Sequence, residues 1–141
     1  MNWQIIIQLI VAAFLGAIVG LERELAKREA GLKTYSLVSL GSALFIVISL
    51  LAFQPPYGSF DPSRILSQII VGVGFIGAGV IMIQKTYVSG ITTAAGLWVT
   101  AGIGAAVGFK LYDVAVAATI IALIVLIIMG KFEKKFISKE N

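Results

Sequence analysis

The sequence predicts an all-α protein built from five membrane-spanning helices, and three observations support this prediction. Hydrophobic residues make up 59% of the chain and charged residues only 13%, far from the balance of a soluble globular domain. Five apolar stretches are each about 19 residues long, enough at about 1.5 Å per residue to cross a hydrocarbon layer of about 30 Å. The charged residues collect at the ends of these stretches. We expect a single domain that covers residues 1–141.

The five spans follow one another through short connections. No basic residue precedes the first span, so we interpret it as a retained helix and not as a cleavable signal. The fourth and fifth spans together would form a helix about 58 Å long, too long for a bilayer. A tight hairpin at Gly108 is therefore predicted between them. The predicted spans are Trp3 to Leu21, Tyr35 to Phe53, Ile65 to Ile83, Ile91 to Phe109 and Leu111 to Met129.

Two of the connections carry signals of helix boundaries. Residues 22–34 mix both charge signs at helical spacing, so we expect them either to extend the first helix or to lie at the membrane interface before Gly31 breaks the helix. Residues 54–58 are rich in turn formers. Asp61 followed by Pro62 suits the N-cap and N1 positions of a helix, which predicts the start of the third helix.

The basic residues predict the orientation of the spans. With five crossings, nine basic residues fall on one side of the membrane and two on the other. Cytoplasmic loops are enriched in lysine and arginine, so we expect the N-terminus outside and the C-terminus inside. The nine are Arg23, Lys27, Arg28, Lys33, Lys85, Lys131, Lys134, Lys135 and Lys139, and the two are Arg64 and Lys110.

Composition argues against several classes of function. The chain has no cysteine and no histidine, which removes the usual zinc, haem and iron–sulfur ligand sets and Cys or Ser-His catalysis. No pair of nucleophile and base is visible, so we expect neither an enzyme nor a cofactor. Residues 72–77 match the letters of a dinucleotide fingerprint, but they lie inside an apolar helix and not after a strand. The basic residues form no continuous face, so no nucleic-acid partner is expected.

Small residues recur at the spacing that lets membrane helices approach closely. The third helix carries them on two sides, so we interpret it as the middle of the bundle or as a seam between subunits. The serines of the second helix, which we call the serine stripe, could serve either close packing or a hydrated pathway, and the sequence does not decide between the two. They are Ser36, Ser39, Ser42 and Ser49. The predicted helix-packing residues are Gly16, Gly20, Gly72, Gly74, Gly77, Gly79, Gly104 and Gly108.

Charged residues at the predicted inner surface are the first candidates for a functional site. Glu22 and Arg23 follow directly on the first span, and Lys33 and Thr34 return to the same surface before the second. One interpretation is anchoring of the helix ends with surface ion pairs. The other turns Glu22 into the bundle, paired with Arg23 or Lys33.

The predicted outer surface offers a second set of candidates. Asp61 and Arg64 fit either a helix cap with interfacial pairing or a vestibule that binds an ion or a partner. Asp61 and Asp113 are weak candidates for Mg²⁺, which prefers one or two carboxylates and retained waters. The sequence does not place these two carboxylates near each other.

Five segments in order resemble the membrane domain of MgtC/SapB proteins. The resemblance implies a bacterial inner-membrane protein, and its last segment adds Thr92 and Thr93 to the candidate functional residues. The best-known relatives are linked to adaptation to low magnesium, to survival inside host cells and to restraint of the ATP synthase. The segments are Gly20 to Glu24, Ala30 to Thr34, Asp61 with Arg64, Gly72 to Gly79, and Gly90 to Ala95 with Trp98.

The chain departs from this family pattern in a few places. Lys33 stands where relatives commonly have arginine, Val71 where serine is frequent, and Thr92 where some have asparagine. Functions that depend on those polar groups do not carry over. Because the sequence ends at Asn141, we expect a short SapB-like form without the soluble C-terminal domain of the MgtC branch.

Two mechanisms from different classes follow from these observations. In the first, the protein is a regulatory membrane subunit whose glycine-lined helices dock on a second copy, with a dimer favoured, or on another membrane complex. In the second, it is a small transporter or channel for Mg²⁺ or another cation, with Glu22 and Asp61 at opposite mouths. We prefer the first, because charges are missing from the middle of every span and ion pathways usually need polar groups at depth.

Overall fold

The computed structural model describes residues 2–52, 61–83, 85 and 87–132. Five helices in this part of the chain are long and apolar enough to cross a membrane, as predicted. A two-stranded hairpin, which was not predicted, separates the third helix from the fourth. The elements are α1 (Trp3–Leu25), α2 (Leu32–Ala52), α3 (Pro62–Gly79), β1 (Met82–Ile83), β2 (Val88–Ser89), α4 (Ile91–Gly108) and α5 (Tyr112–Ile124), which continues as a π-helical turn, Val125–Met129.

Local chemistry explains where α3 and α4 begin and end. The Asp61 carboxylate accepts a hydrogen bond of 2.9 Å from the Ser63 amide, and Pro62 occupies the first turn, so the predicted cap of α3 is confirmed. α4 ends at Gly108, where the predicted tight hairpin is found. The Lys110 amide bonds to Val107 O at 2.9 Å, and Lys110 itself has a left-handed φ of 63°. This is a Schellman-type helix end with lysine at the position that glycine usually takes.

The connection between α1 and α2 follows the same rule. α1 extends past the predicted span to Leu25, but it ends before Gly31, where the sequence predicted the break, and Lys27 then adopts a left-handed φ of 53°. The Arg28 amide bonds back to Arg23 O at 3.0 Å, which closes a second Schellman-type end. The chain enters α2 directly after Gly31.

The β1–β2 hairpin turns the chain from α3 into α4. Met82 pairs with Ser89 and Ile83 with Val88 in an antiparallel ladder. Gly90 closes the hairpin with a φ of 87°, and a Cβ there would overlap the carbonyl of Val80. Only glycine fits this position without strain.

Helix directions alternate along the chain and define two ends of the bundle. α2 runs antiparallel to α1 and parallel to α4, and α3 runs antiparallel to α4. We call the end where α1 stops and α2 and α4 start the charged end, and the other end, where α3 and α5 start, the opposite end. The contacts that set these directions join Gly20 with Leu32, Gly16 with Ser39, Gly96 with Tyr35, Gly108 with Ile46 and Gly77 with Ala94.

The core lies between α1, α2 and α4, while α3 and α5 flank it. The buried share of the span is 56% for α4 but 17% for α3 and 11% for α5. The expectation that α3 forms the middle of the bundle is therefore wrong for the single chain, because α4 takes that place. The alternative, in which α3 forms a seam between subunits, stays a prediction.

Some predictions concern segments outside the described residues. They are the turn-rich stretch at 54–58 and the lysine-rich end of the chain after Phe132. The predicted orientation of the termini also stays a prediction, because the helix arrangement is the same for either orientation.

Candidate functional site

The charged end brings together residues that are far apart in the sequence. Arg23, on the last turn of α1, is 4% exposed, and its guanidinium forms an ion pair with the neighbouring Glu22. The Arg23 Nη2 to Glu22 Oε1 distance is 2.7 Å. The predicted pairing of Glu22 with Arg23 is therefore present, and Lys33 is exposed and takes no part in it. A buried arginine with a half-buried carboxylate partner fixes the end of α1 against the bundle.

Two other glutamates serve the N-termini of neighbouring helices. α2 and α4 are preceded by glycines, Gly31 and Gly90, which carry no capping side chain. The Glu24 carboxylate accepts a bond of 2.8 Å from the amide of Leu32, the first residue of α2. Glu29 Oε2 accepts a bond of 2.7 Å from Thr93 Oγ1 in the first turn of α4. A negative charge at a helix N-terminus is stabilising, so the last turn of α1 supplies α2 with an acidic partner and the loop after α1 supplies α4 with another.

The Glu29 carboxyl is held in its charged form by this arrangement. Its own backbone amide and the Thr93 hydroxyl donate to it, and Arg28 and Arg23 add positive charge nearby. These contacts lower the pKa of Glu29 from its usual value of 4.5. Because the group is largely exposed, we treat this as a modest electrostatic tie between the loop and α4.

Tyr35 joins the charged end to the helix core. Its side chain is fully buried, and the hydroxyl donates a bond of 3.0 Å to Thr93 O. Gly96 leaves room for the ring, since a Cβ on Gly96 would press against the Tyr35 ring and hydroxyl. Thr93 therefore contacts both Glu29 and Tyr35. The sequence analysis did not single out Tyr35, although a tyrosine at a span end is a familiar signal of an interfacial contact.

The remaining candidates near this end make fewer contacts. Thr92 is exposed on the first turn of α4, while Thr34 is half-buried and lines a groove between α2 and α3. Lys33 projects from the first turn of α2 and is exposed. The structure thus gathers Glu22, Arg23 and Thr93 around the charged end without bringing Lys33 or Thr92 into the same contacts.

The opposite end holds the second set of candidates. Asp61 is exposed, and bonds from the Ser63 hydroxyl and amide, with a contribution from Arg64, lower its pKa. Asp113 lies in the first turn of α5. α3 packs on α4 and α2, whereas α5 packs on α4 and α1, so the two aspartates start helices with different neighbours. Within the described residues, no group of three or more potential ligands could hold a metal ion.

A buried glutamine at the opposite end was missed by the sequence analysis. Gln8 of α1 is 2% exposed and its amide donates to Val107 O at 2.6 Å and to Gly108 O at 2.8 Å. These carbonyls belong to the last turn of α4, where no further helical amide reaches them. The available signal was an uncharged polar residue inside an otherwise apolar span.

Two hydroxyls in the core have no hydrogen-bond partner among the described residues. Ser39 Oγ on α2 and Thr100 Oγ1 on α4 are both buried. Ser39 belongs to the serine stripe, for which the sequence analysis kept a hydrated pathway as an alternative to packing. In a membrane interior an unsatisfied polar group costs free energy. These two hydroxyls are therefore unfavourable polar groups in an otherwise apolar part of the core.

The glycines of the helices divide into packed and open positions. A Cβ at Gly16 would come within 2.6 Å of Tyr35 O, and one at Gly108 within 2.7 Å of Ile46 Cβ. Gly20 and Gly104 are equally close to α2, and Gly77 touches Ala94 at ordinary van der Waals distance. Gly72, Gly74 and Gly79 have nothing within 4 Å of an added Cβ.

One open glycine of α3, Gly72, borders a groove between α2 and α3. The groove has a volume of about 770 Å³ and is mainly apolar, with Thr34, Ser42, Ser49 and Gln68 as polar exceptions. Gly41 and Gly72 widen it, because neither has a neighbour within 4 Å of an added Cβ. α3 therefore presents a surface that the described residues of this chain do not cover.

Comparison with known proteins gives consistent matches. The MgtC family model matches residues 9–135. The chain is 38% identical over 143 residues to YhiD of Escherichia coli K12, a protein whose name proposes magnesium transport; the match covers 99% of this chain and 66% of YhiD. It is 46% identical over 118 residues to the MgtC protein of Salmonella typhimurium 14028s, covering 84% of this chain and 49% of that protein.

A cyanobacterial relative extends the comparison. An uncharacterized protein from Synechocystis is 38% identical over 125 residues, which cover 88% of this chain and 52% of the relative. The chain thus spans between about half and two thirds of the length of these relatives. No solved structure matches the chain.

Proposed function

The chain belongs to the MgtC family, and from this premise we propose that it is a regulatory membrane subunit that acts by docking its α3 surface on a partner. Its multi-pass character rests on five spanning helices and on the family. The name of the YhiD relative points to magnesium, so the process we assign is adaptation of a bacterium to low Mg²⁺. We place the protein in the inner membrane and assign it no catalytic reaction.

The open glycines of α3 are the observation that carries this proposal. Gly72 and Gly79 share one side of α3 and leave a surface on which another helix backbone can approach closely, and the described residues of the chain do not fill it. The carboxylates at the charged end are meanwhile engaged in structural contacts, Glu22 with Arg23, Glu24 with α2 and Glu29 with α4. The free surface therefore lies along α3 and not at the charged end.

Growth in low magnesium tests the proposal. In cells whose only copy carries Gly72→Leu, we expect growth in micromolar Mg²⁺ to fall toward that of cells lacking the protein, because the larger side chain blocks docking. Gly102→Leu is the matched control, since Gly102 of α4 also has nothing within 4 Å of an added Cβ. Gly77→Leu is a poor probe, because Gly77 already touches Ala94 and the substitution would disturb the α3–α4 contact.

The proposal requires both variants to reach the membrane in normal amounts. Equal growth of the Gly72→Leu and Gly102→Leu strains at equal membrane levels would remove docking through this surface as the function.

Cation transport is the second candidate, and the unpartnered hydroxyls of Ser39 and Thr100 favour it. They place polar groups at depth in the core, where a pathway would need them. Purified protein in liposomes loaded with a magnesium-sensitive dye should then pass Mg²⁺, and Ser39→Ala with Thr100→Val should slow the flux. Glu22→Gln and Asp61→Asn should slow it as well if these groups form the mouths. Liposomes that stay impermeable with wild-type protein would remove this candidate.

A further inference from the structure

We propose that the partner seated on α3 is a second copy of this chain, packed α3 to α3 about a twofold axis along the membrane normal, with the two Gln68 amides paired. This inference rests on the proposed docking function and names its occupant. Both copies insert with the same orientation, so a closed pair has this axis and the two α3 helices run parallel. Each residue on the contact line then faces its own counterpart.

One line of residues along α3 has the properties that such a contact needs. At 3.6 residues per turn, Gln68, Gly72 and Gly79 fall within about 40° of one another around the helix. All three are exposed in the single chain. The buried residues Ile69, Val73 and Gly77 are centred about 120° further around α3 and face the rest of the bundle. The line is therefore available to a second copy without rearranging the fold.

Gln68 indicates a polar partner and not a lipid chain. Its side chain is exposed about 10 Å along α3 from the helix start, at a depth where hydrocarbon would surround it. Among the described residues it has no hydrogen-bond partner. A primary amide carries both donors and an acceptor, so two glutamines facing each other across a twofold axis satisfy each other. Amide side chains join membrane helices in this way.

The charges at the start of α3 are complementary in the same geometry. Asp61 and Arg64 are both exposed, and within the described ranges the Arg64 guanidinium makes neither a hydrogen bond nor an ion pair. In a parallel pair, Asp61 of each copy can face Arg64 of the other, which gives two reciprocal ion pairs. A surface that carries charges of only one sign would repel a second copy, whereas this surface carries both a negative and a positive charge.

The shape of the surface is also self-complementary. Phe75 stands next to the contact line and is 85% exposed, so it projects from α3 as a large knob. Gly72 opens the groove between α2 and α3 at the same level, with a volume of about 770 Å³. A phenyl ring from the second copy fits this space, and the same contact is made twice by symmetry.

Cross-linking with single cysteines tests the inference directly, because the natural chain has no cysteine. In native membranes treated with a mild oxidant, Gly72→Cys should form a disulfide-linked dimer. Gly74→Cys is the matched control: both glycines lie on α3 with nothing within 4 Å of an added Cβ, but they are about 200° apart around the helix. Gly74→Cys should therefore give only the background of random collisions.

Replacement of the amide tests the role of Gln68. In the Gly72→Cys chain, Gln68→Leu should weaken association by about 3- to 30-fold, the range of interhelical polar contacts in membranes. Gln68→Asn keeps a self-complementary amide and should restore most of it. The association constants are obtained by diluting each variant in lipid and measuring the cross-linked fraction as a function of the protein-to-lipid ratio.

Three outcomes overturn the inference. Equal cross-linking of the two cysteine variants would place the contact elsewhere on α3. If association does not change with Gln68→Leu, the two Gln68 amides are not paired across the dimer. Absence of a dimer would mean that lipid or another protein covers α3. In that last case, lost growth of the Gly72→Leu strain would still support docking on a different partner, so failure of the dimer and failure of the proposed function are distinguishable.

Discussion

Most glycines of α4 and most glycines of α3 have opposite surroundings although both helices carry them at similar spacing; Gly102 of α4 and Gly77 of α3 are the exceptions. On α4, Gly104 and Gly108 press against the backbone and side chains of α2. On α3, Gly72 and Gly79 have open space in front of them. The contrast teaches that glycine spacing identifies helices built for close approach but does not say whether the partner helix belongs to the same chain.

The two helices also differ in what surrounds their glycines. α4 carries small and buried side chains on nearly every side, so α1, α2, α3 and α5 can all pack on it. α3 buries one side with Ile69 and Val73 and keeps Gln68 and Phe75 outside. Stability is thus concentrated around α4, whereas α3 is free to serve in recognition. The following variants test that division, from the largest expected effect to the smallest.

The glycines of α4 that pack against α2 predict the largest effect. Gly104→Ala places a methyl group on the carbonyl of Ser39, so α2 and α4 must move apart. We expect a loss of about 3 kcal/mol in the free energy of unfolding, at the upper range for overpacking. Titration with a denaturing detergent in mixed micelles measures it. Gly102→Ala on the same helix meets nothing within 4 Å and should gain about 0.5–1 kcal/mol from helix propensity. Similar losses for both would contradict the packing of α4.

Gln8 gives the next effect, because it ties α1 to the end of α4. Gln8→Leu leaves Gly108 O without its amide donor and removes one of the two donors to Val107 O, which keeps the Lys110 amide, and we expect a loss of about 1–3 kcal/mol. Gln4→Leu is the control one turn earlier, where the side chain is exposed. It should change the free energy of unfolding by no more than about 0.5 kcal/mol. An equal effect of both would show that the amide bonds do not hold the two helices together.

The Glu29 contact predicts a pH dependence at the start of α4. The folded pKa of Glu29 is lowered, so its stabilisation is complete above the usual value of 4.5 and is lost as pH falls through the folded value. Hydrogen exchange of amides in the first turn of α4 should accelerate in that acidic window. Because the group is exposed, we expect the effect to stay below about 1 kcal/mol. Thr93→Val should remove most of the pH dependence, and its persistence would assign the effect to another group.

The smallest effect concerns the two lysines at helix ends. Lys27 and Lys110 have left-handed backbone conformations with φ values of 53° and 63°. Glycine adopts this conformation without strain, so Lys27→Gly and Lys110→Gly should stabilise the fold by a few tenths to about 1 kcal/mol despite the lost positive charge. Lys33→Gly, inside the first turn of α2, should do the opposite. Thermal unfolding in detergent compares the three, and a loss in all of them would contradict the assigned helix ends.

The sequence was enough to predict the five spans and several of their boundaries. Apolar length, the Asp61–Pro62 start of α3 and the hairpin at Gly108 are local signals, and each appears in the structure. The pairing of Glu22 with Arg23 was also predictable, since the two residues are adjacent in the sequence. These features depend on neighbours along the chain, which a sequence states directly.

The features that escaped prediction depend on neighbours across the fold. The buried amide of Gln8 acts on carbonyls about a hundred positions away, and Glu29 reaches Thr93 on a helix that is separated from it by two others. The central place of α4 follows from which glycines meet a backbone, and spacing alone does not distinguish Gly104 from Gly72. The correct predictions rest on local signals along the chain, whereas the missed features depend on contacts between residues that are far apart in the sequence.

The unfolding free energy of Gly72→Leu, measured at high lipid dilution where the chain is monomeric, tests the central claim most directly. The account places open space in front of Gly72, so the variant should be as stable as wild type to within about 1 kcal/mol, whereas Gly104→Leu in parallel should not fold. If Gly72→Leu is instead destabilised as severely as Gly104→Leu, α3 is packed inside the chain and no free docking surface exists.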